Sequence, residues 1–283
     1  LLERSLYNGF LSGVSLDGSR YFYVNPLQSR GGIGRPEWYG CACCPPNVMR
    51  QIAVVSHYAA TVNREGIQIH QYMPMALVAD GEDGPRATLR VETDYPWDGK
   101  IRVTVEETDG TAWALSLRIP AWCKGAMLAL NGDTVEPFVI AEHVTTIRQT
   151  WQAGDVIELE LAMTPMLIEA HPRVDAVRGC VAIQRGPVIY CLEEADQPNV
   201  DLLDVRLDPG ATLRAVPHPE LLGGVVVIEA QGKVAAEGSW QGHLYRPVAK
   251  QTPAYRDVTL TAVPYYAWAN RGAGTMRVWI PRA

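Results

Sequence analysis

The spacing of apolar positions changes along this chain. Leu2, Leu6, Phe10 and Val14 recur at near-helical intervals, which predicts a first helix whose apolar stripe needs a partner surface. Asp17-Gly18 then separates Val14-Ser15-Leu16 from Tyr21-Phe22-Tyr23-Val24, the pattern of a tight β-hairpin. A glycine-rich loop, Gly31-Gly32-Ile33-Gly34, leads to Trp38 and to Cys41-Ala42-Cys43-Cys44. Pro45 and Pro46 fix φ for a first helical turn, and Val48, Met49, Ile52, Val55 and Tyr58 supply a second amphipathic stripe. Cys43 and Cys44 are therefore expected at or just before a helix N-terminus.

From about residue 66 the period becomes two. Ile101, Val103 and Val105 alternate with polar residues, as do Leu115, Leu117 and Ile119, and Ile157, Leu159 and Leu161. Asn131-Gly132-Asp133 and Ala153-Gly154-Asp155 mark turns at the spacing of a sandwich. A second group of strand-like runs, Cys180 to Leu192, Gly224 to Ala230, Val258 to Ala262 and Thr275 to Ile280, predicts another all-β unit. Asp196 to Pro219, with scattered Pro, Asp and Gly, reads as a long irregular connection. The expected organisation is mainly β: a helical segment over residues 1–58, an antiparallel β-sandwich over 59–165 and a second over 166–283.

A chain of 283 residues fits two compact domains with part of a third, and 47% hydrophobic and 20% charged residues are ordinary for a folded globular protein. The net charge of -6 and the lack of a Lys/Arg stripe argue against a nucleic-acid partner. No apolar run approaches the roughly 18 residues that cross a bilayer, so no membrane partner is expected. The chain opens without Met inside a helical pattern and without the flanks of a signal peptide, so further residues are expected to precede it.

Three of the six cysteines crowd into one motif, while Cys123, Cys180 and Cys191 are scattered in what read as strand patterns, as small core residues. This is not a secreted disulfide framework, and reduced thiols fit a cytoplasmic setting. A thiolate is the form that attacks carbon or binds metal, and a helix N-terminus favours negative charge. Cys43 and Cys44 could offer zinc two sulfurs, but a tetrahedral site needs four ligands. No second cysteine pair or His-x₃-His element supplies the others, because His57, His70, His143, His171, His218 and His243 are isolated. Spacing alone leaves three readings open: a catalytic thiolate, a structural metal knuckle, or inert thiols.

The run Trp38-Tyr39-Gly40-Cys41-Ala42-Cys43-Cys44-Pro45-Pro46-Asn47 closely resembles the signature of glycoside hydrolase family 127. Leu6-Tyr7-Asn8, Ser15-Leu16-Asp17-Gly18 and Tyr21 to Leu27 resemble the family's preceding block. Arg118 to Cys123, Gln184-Arg185-Gly186-Pro187 and Pro264 to Gly272 resemble its later blocks in the same order. The resemblance covers essentially the whole chain. It implies the C-terminal segment of an (α/α)6 catalytic barrel followed by two β-sandwich domains, and a retaining β-L-arabinofuranosidase acting on a plant glycan or oligosaccharide. In such an enzyme a zinc-bound cysteine attacks the anomeric carbon: Cys43 would be nucleophile and zinc ligand, and Cys44 a companion ligand. Glu3 and Tyr23 would contact sugar hydroxyls. The remaining Glu and Cys ligands and the glutamate acid/base would lie in an N-terminal barrel portion not present here, so the isolated chain is expected to be inactive.

The competing reading is a non-catalytic carbohydrate-binding or structural β-sandwich module, and self-association into a homo-oligomer is left open. Trp122, Trp268 and Trp279 are candidates for a sugar-stacking platform but are more simply core residues. Asn270 and Arg271 are expected to satisfy backbone groups, and His57 to follow the second helical stripe.

Overall fold

The computed structural model describes residues 1–136, 140, 143–236, 244–245, 247 and 254–283. The chain is mainly β and divides into two compact units, Cys43–Met163 and Leu1–Ala42 with Thr164–Ala283. No helix among the described residues is long and apolar enough to cross a membrane.

The Cys43–Met163 unit opens with the helix Cys44–Val54 and the 3₁₀ turn Val55–Tyr58. Two sheets follow. One has four strands in the order Val144–Thr150, Ala112–Arg118, Gly66–Ile69, Ala60–Asn63; the other has six, Met75–Ala79, Ala87–Thr93, Lys100–Thr108, Val156–Leu161, Ala126–Leu130, Asp133–Thr134. The period-two residues are the core: Ile101, Val103, Val105, Leu115, Leu117, Ile157 and Leu159 are all buried. Asn131 and Gly132, at φ 53° and 88°, form the two-residue turn that the left-handed region permits. The purely antiparallel expectation needs one correction, since Gly66–Ile69 pairs in parallel with Ala112–Arg118. That pairing brings two backbones so close that a Cβ on Gly66 would sit 1.9 Å from the Ala114 carbonyl oxygen.

In the other unit the predicted first helix runs from Leu2 to Gly13, but as an α turn, a π turn over Leu6–Phe10 and a 3₁₀ turn. Asn8 sits in the π turn and uses its whole amide: Nδ2 donates to the carbonyls of Arg4 and Pro187, and Oδ1 accepts the Ile189 N–H. The hairpin beyond it narrows to the single bridge Val14↔Tyr21, supported by Ser15 N–H to Arg20 O and Phe22 N–H to Gly13 O.

The C-terminal strands form a branched ten-stranded sheet whose main path runs Gln28–Arg30, Thr275–Arg277, Val188–Glu193, Tyr255–Pro264, Val225–Ala235, Val205–Leu207. Its core includes Val181, Ile183, Tyr190, Leu192, Ile228 and Leu260. Gln28–Arg30, from the leading block, supplies an edge strand to it. The supposedly irregular stretch Asp196 to Pro219 contains two strands, Val205–Leu207 and Leu213–His218. Pro217 hid the second: proline suits an edge strand, and Leu213–His218 pairs with Val225–Ala235 on one side.

Gly66→Ala is expected to cost about 3 kcal/mol, because backbone rather than a flexible side chain must give way. A thermal or denaturant midpoint equal to that of the parent chain would contradict this account of the parallel pair.

Candidate active site

The dithiol stands where the sequence placed it. Cys43 is the N-cap of the helix Cys44–Val54, Cys44 is its first residue, and both are exposed. Their sulfurs are 3.7 Å apart. Two thiolates on one tetrahedral zinc, with Zn–S of about 2.3 Å, lie about 3.8 Å apart, so the pair already has the separation of two zinc ligands. Asn47 braces the turn by donating from Nδ2 to the Cys43 carbonyl at 2.8 Å, and Arg50 holds the Asn47 Oδ1 at 2.7 Å.

The helix end gives less help to negative charge than its position suggested. Four amide positions at a helix N-terminus lack intrahelical acceptors, here Cys43 to Pro46, and two of these are prolines with no N–H. Two neighbouring thiolates would also repel each other. Among the described residues no group of three or more His, Cys, Asp or Glu side chains gathers around a metal position. His243 lies outside the described residues. The pair therefore fits half of a zinc shell.

Glu3 and Tyr23 belong to the other unit. Glu3 is buried in the opening helical turn. Tyr23 stacks face to face on Tyr39, with centroids 3.8 Å apart and planes 10° apart, and its hydroxyl donates to the Cys41 carbonyl. Cys41 is exposed and precedes Cys43 by two positions. Tyr39 in turn donates from its hydroxyl to the Tyr21 carbonyl at 2.9 Å. The Tyr23 hydroxyl thus spends its donor on the Cys41 carbonyl.

Several simpler readings hold and several change. Trp122 and Trp268 are buried and Trp279 is half-buried, so they do not form an exposed sugar platform. Of the scattered cysteines only Cys191 is buried, and burial pushes its thiol pKa well up. Cys123 lies in a turn, where its thiol donates to the Gly125 carbonyl. His57 is exposed, as are Met49 and Ile52 of the stripe before it. Asn270 does serve backbone, accepting the Leu16 N–H and donating to the Ala267 and Trp268 carbonyls. Arg271 does not. It pairs with Asp196 and, at 2.6 Å, with the buried Glu193, and these bonds raise its pKa.

Sequence reasoning passed over Arg35, which is buried with its guanidinium on the Trp268 and Ser12 carbonyls. Nothing in Gly34-Arg35-Pro36 distinguishes it from a solvated loop arginine. A groove of about 660 Å³ lies on the six-stranded sheet, lined by Glu92, Lys100, Arg102, Glu158 and Glu160 among others. It contains neither an aromatic ring nor a cysteine, so it is unrelated to the thiol chemistry.

The order of dithiol helix, middle sandwich and C-terminal sheet is matched by three family descriptions. Residues 1–57 match the Beta-L-arabinofuranosidase GH127 catalytic domain, 66–163 the GH127 middle domain, and 165–281 the glycoside hydrolase family 127 C-terminal domain. This chain belongs to glycoside hydrolase family 127. It is 35% identical over 300 residues to a non-reducing end beta-L-arabinofuranosidase of Bifidobacterium longum subsp. longum, an alignment covering 99% of this chain and 44% of that protein. It is similar to the crystal structure of a GH127 beta-L-arabinofuranosidase from Geobacillus stearothermophilus T6, with TM-score 0.90 and 40% identity over all of this chain and 46% of that one. A structure described as a glycoside hydrolase matches with TM-score 0.91 and 37% identity over all of this chain and 48% of that one. The chain thus spans less than half the length of these relatives.

Removing the Arg271 cation by Arg271→Met would leave Glu193 and Asp196 as facing, poorly solvated carboxylates, and is expected to cost about 3 kcal/mol. Urea unfolding measures this; an unchanged midpoint would mean the cluster adds nothing to the fold.

Proposed function

We propose that this chain is the C-terminal portion of a retaining, zinc-dependent glycoside hydrolase that cleaves β-L-arabinofuranosides with Cys43 as nucleophile. The observation that carries the reading is the exposed sulfur pair 3.7 Å apart at the head of a helix. Family membership and the names of the relatives supply the sugar class.

Cys43 and Cys44 would hold the metal together with Glu and Cys ligands from an upstream barrel portion, which also brings the glutamate acid/base. Bound zinc supplies the positive charge that keeps a thiol ionised near neutral pH, the help that Pro45 and Pro46 withhold from the helix end. In the first displacement the Cys43 sulfur forms a bond to the anomeric carbon as the glycosidic C–O bond breaks. The departing oxygen takes the proton of the acid/base. In the second, the acid/base takes a proton from a water that attacks the same carbon, the C–S bond breaks and the thiolate returns, with configuration retained overall. Glu3 and Tyr23 orient the sugar hydroxyls, and the ordered turn held by Asn47 keeps Cys43 at one angle of approach.

Tested in a polypeptide carrying the upstream catalytic portion, Cys43→Ser should lower kcat on an aryl β-L-arabinofuranoside by about a thousandfold or more. Cys44→Ser should abolish the single zinc found per polypeptide by metal analysis. Ordinary turnover in the Cys43→Ser protein would refute the nucleophile.

A further inference from the structure

We infer that Arg35 is a positioning residue for Tyr23, acting through Phe22; the inference rests on Tyr23 contacting sugar as proposed above. The Arg35 side chain is buried, and its guanidinium donates to the carbonyls of Trp268 at 2.6 Å, Ser12 at 2.8 Å and Tyr266 at 3.4 Å. Its flat face lies 4.5 Å from the Phe22 ring centroid. Phe22 is itself stacked on Trp268, with centroids 5.1 Å apart and planes 15° apart. The three groups close a ring: Arg35 holds the Trp268 carbonyl, Trp268 holds the Phe22 ring, and Phe22 faces Arg35.

This ring clamps the residue next to Tyr23 in the chain. The same segment is pinned on its backbone, with Tyr21 N–H on the Pro36 carbonyl at 3.0 Å and Phe22 N–H on the Gly13 carbonyl at 2.7 Å. The direction in which the Tyr23 side chain leaves the chain is set by its backbone, and that backbone is continuous with a residue fixed from both sides. Stacking on Tyr39 then selects the ring's orientation. Only a planar fork can satisfy carbonyls from separate segments while presenting a flat cation to an aromatic face. Burial lowers the guanidinium pKa to about 10, so it stays charged at neutral pH. Lysine at position 35 would keep the charge and lose the geometry.

The test is a double-mutant cycle in the polypeptide carrying the upstream catalytic portion, with KM and kcat measured on an aryl β-L-arabinofuranoside. Arg35→Lys should lower kcat/KM about tenfold, chiefly through KM, and should change it by less than about twofold once Tyr23→Phe is already present. Equal losses in both backgrounds, or no loss in either, would overturn the role. A purely structural arginine would shift the thermal midpoint in both backgrounds and leave the KM of the folded enzyme alone. If Arg35→Lys does not fold, Phe22→Leu replaces it in the same cycle with the same expectation. Cys43→Ser assayed alongside keeps the two ideas separate. Its retained turnover would sink the nucleophile, whereas additive losses at 35 and 23 would sink only the positioning.

Discussion

A buried cation is tolerated only when dipoles replace the water it has lost, and Arg35 meets that condition at its two terminal nitrogens with backbone carbonyls and over its flat side with an aromatic face. The constraint reaches outwards in both directions. Through Trp268 and Asn270 it ties the block Pro264 to Gly272 to the hairpin, where Asn270 also takes the Leu16 N–H. Along the chain it anchors the segment on which Tyr23 stacks against Tyr39. Two blocks far apart in sequence, the hairpin and Pro264 to Gly272, thus meet at one guanidinium.

Much of the fold was legible because burial of one sheet face writes a period of two into the chain. Ile101, Val103 and Val105 could be assigned from alternation alone, and Asn131-Gly132 from its tolerance of positive φ. Other elements left no such trace. Gln28–Arg30 and Ala60–Asn63 are short and mostly exposed, so neither alternates visibly. Parallel pairing of Gly66–Ile69 is a property of topology, to which local pattern is blind. The π turn at Leu6–Phe10 follows from Asn8 bonding to Pro187 and Ile189, partners far away in sequence.

The candidate site was legible to a different degree. The cysteines announced themselves by crowding and by the prolines after them, and the structure adds their separation and exposure. The effect of those prolines cut both ways: they start the helix and strip its end of N–H donors. Arg35 and Tyr39 were illegible because their roles depend on carbonyls and rings supplied from elsewhere in the chain.

The pairing of Gln28–Arg30 with Thr275–Arg277 has a consequence for synthesis. A ribosome makes the edge strand well before its neighbour in the sheet, which follows only after nearly the whole sandwich region has been translated. Until then the hairpin block has an open hydrogen-bonding rim and lacks Trp268 against Phe22, so it cannot reach its final arrangement. Completion of this unit therefore waits on Thr275–Arg277, and a nascent chain halted before that strand would expose a rim able to capture other chains.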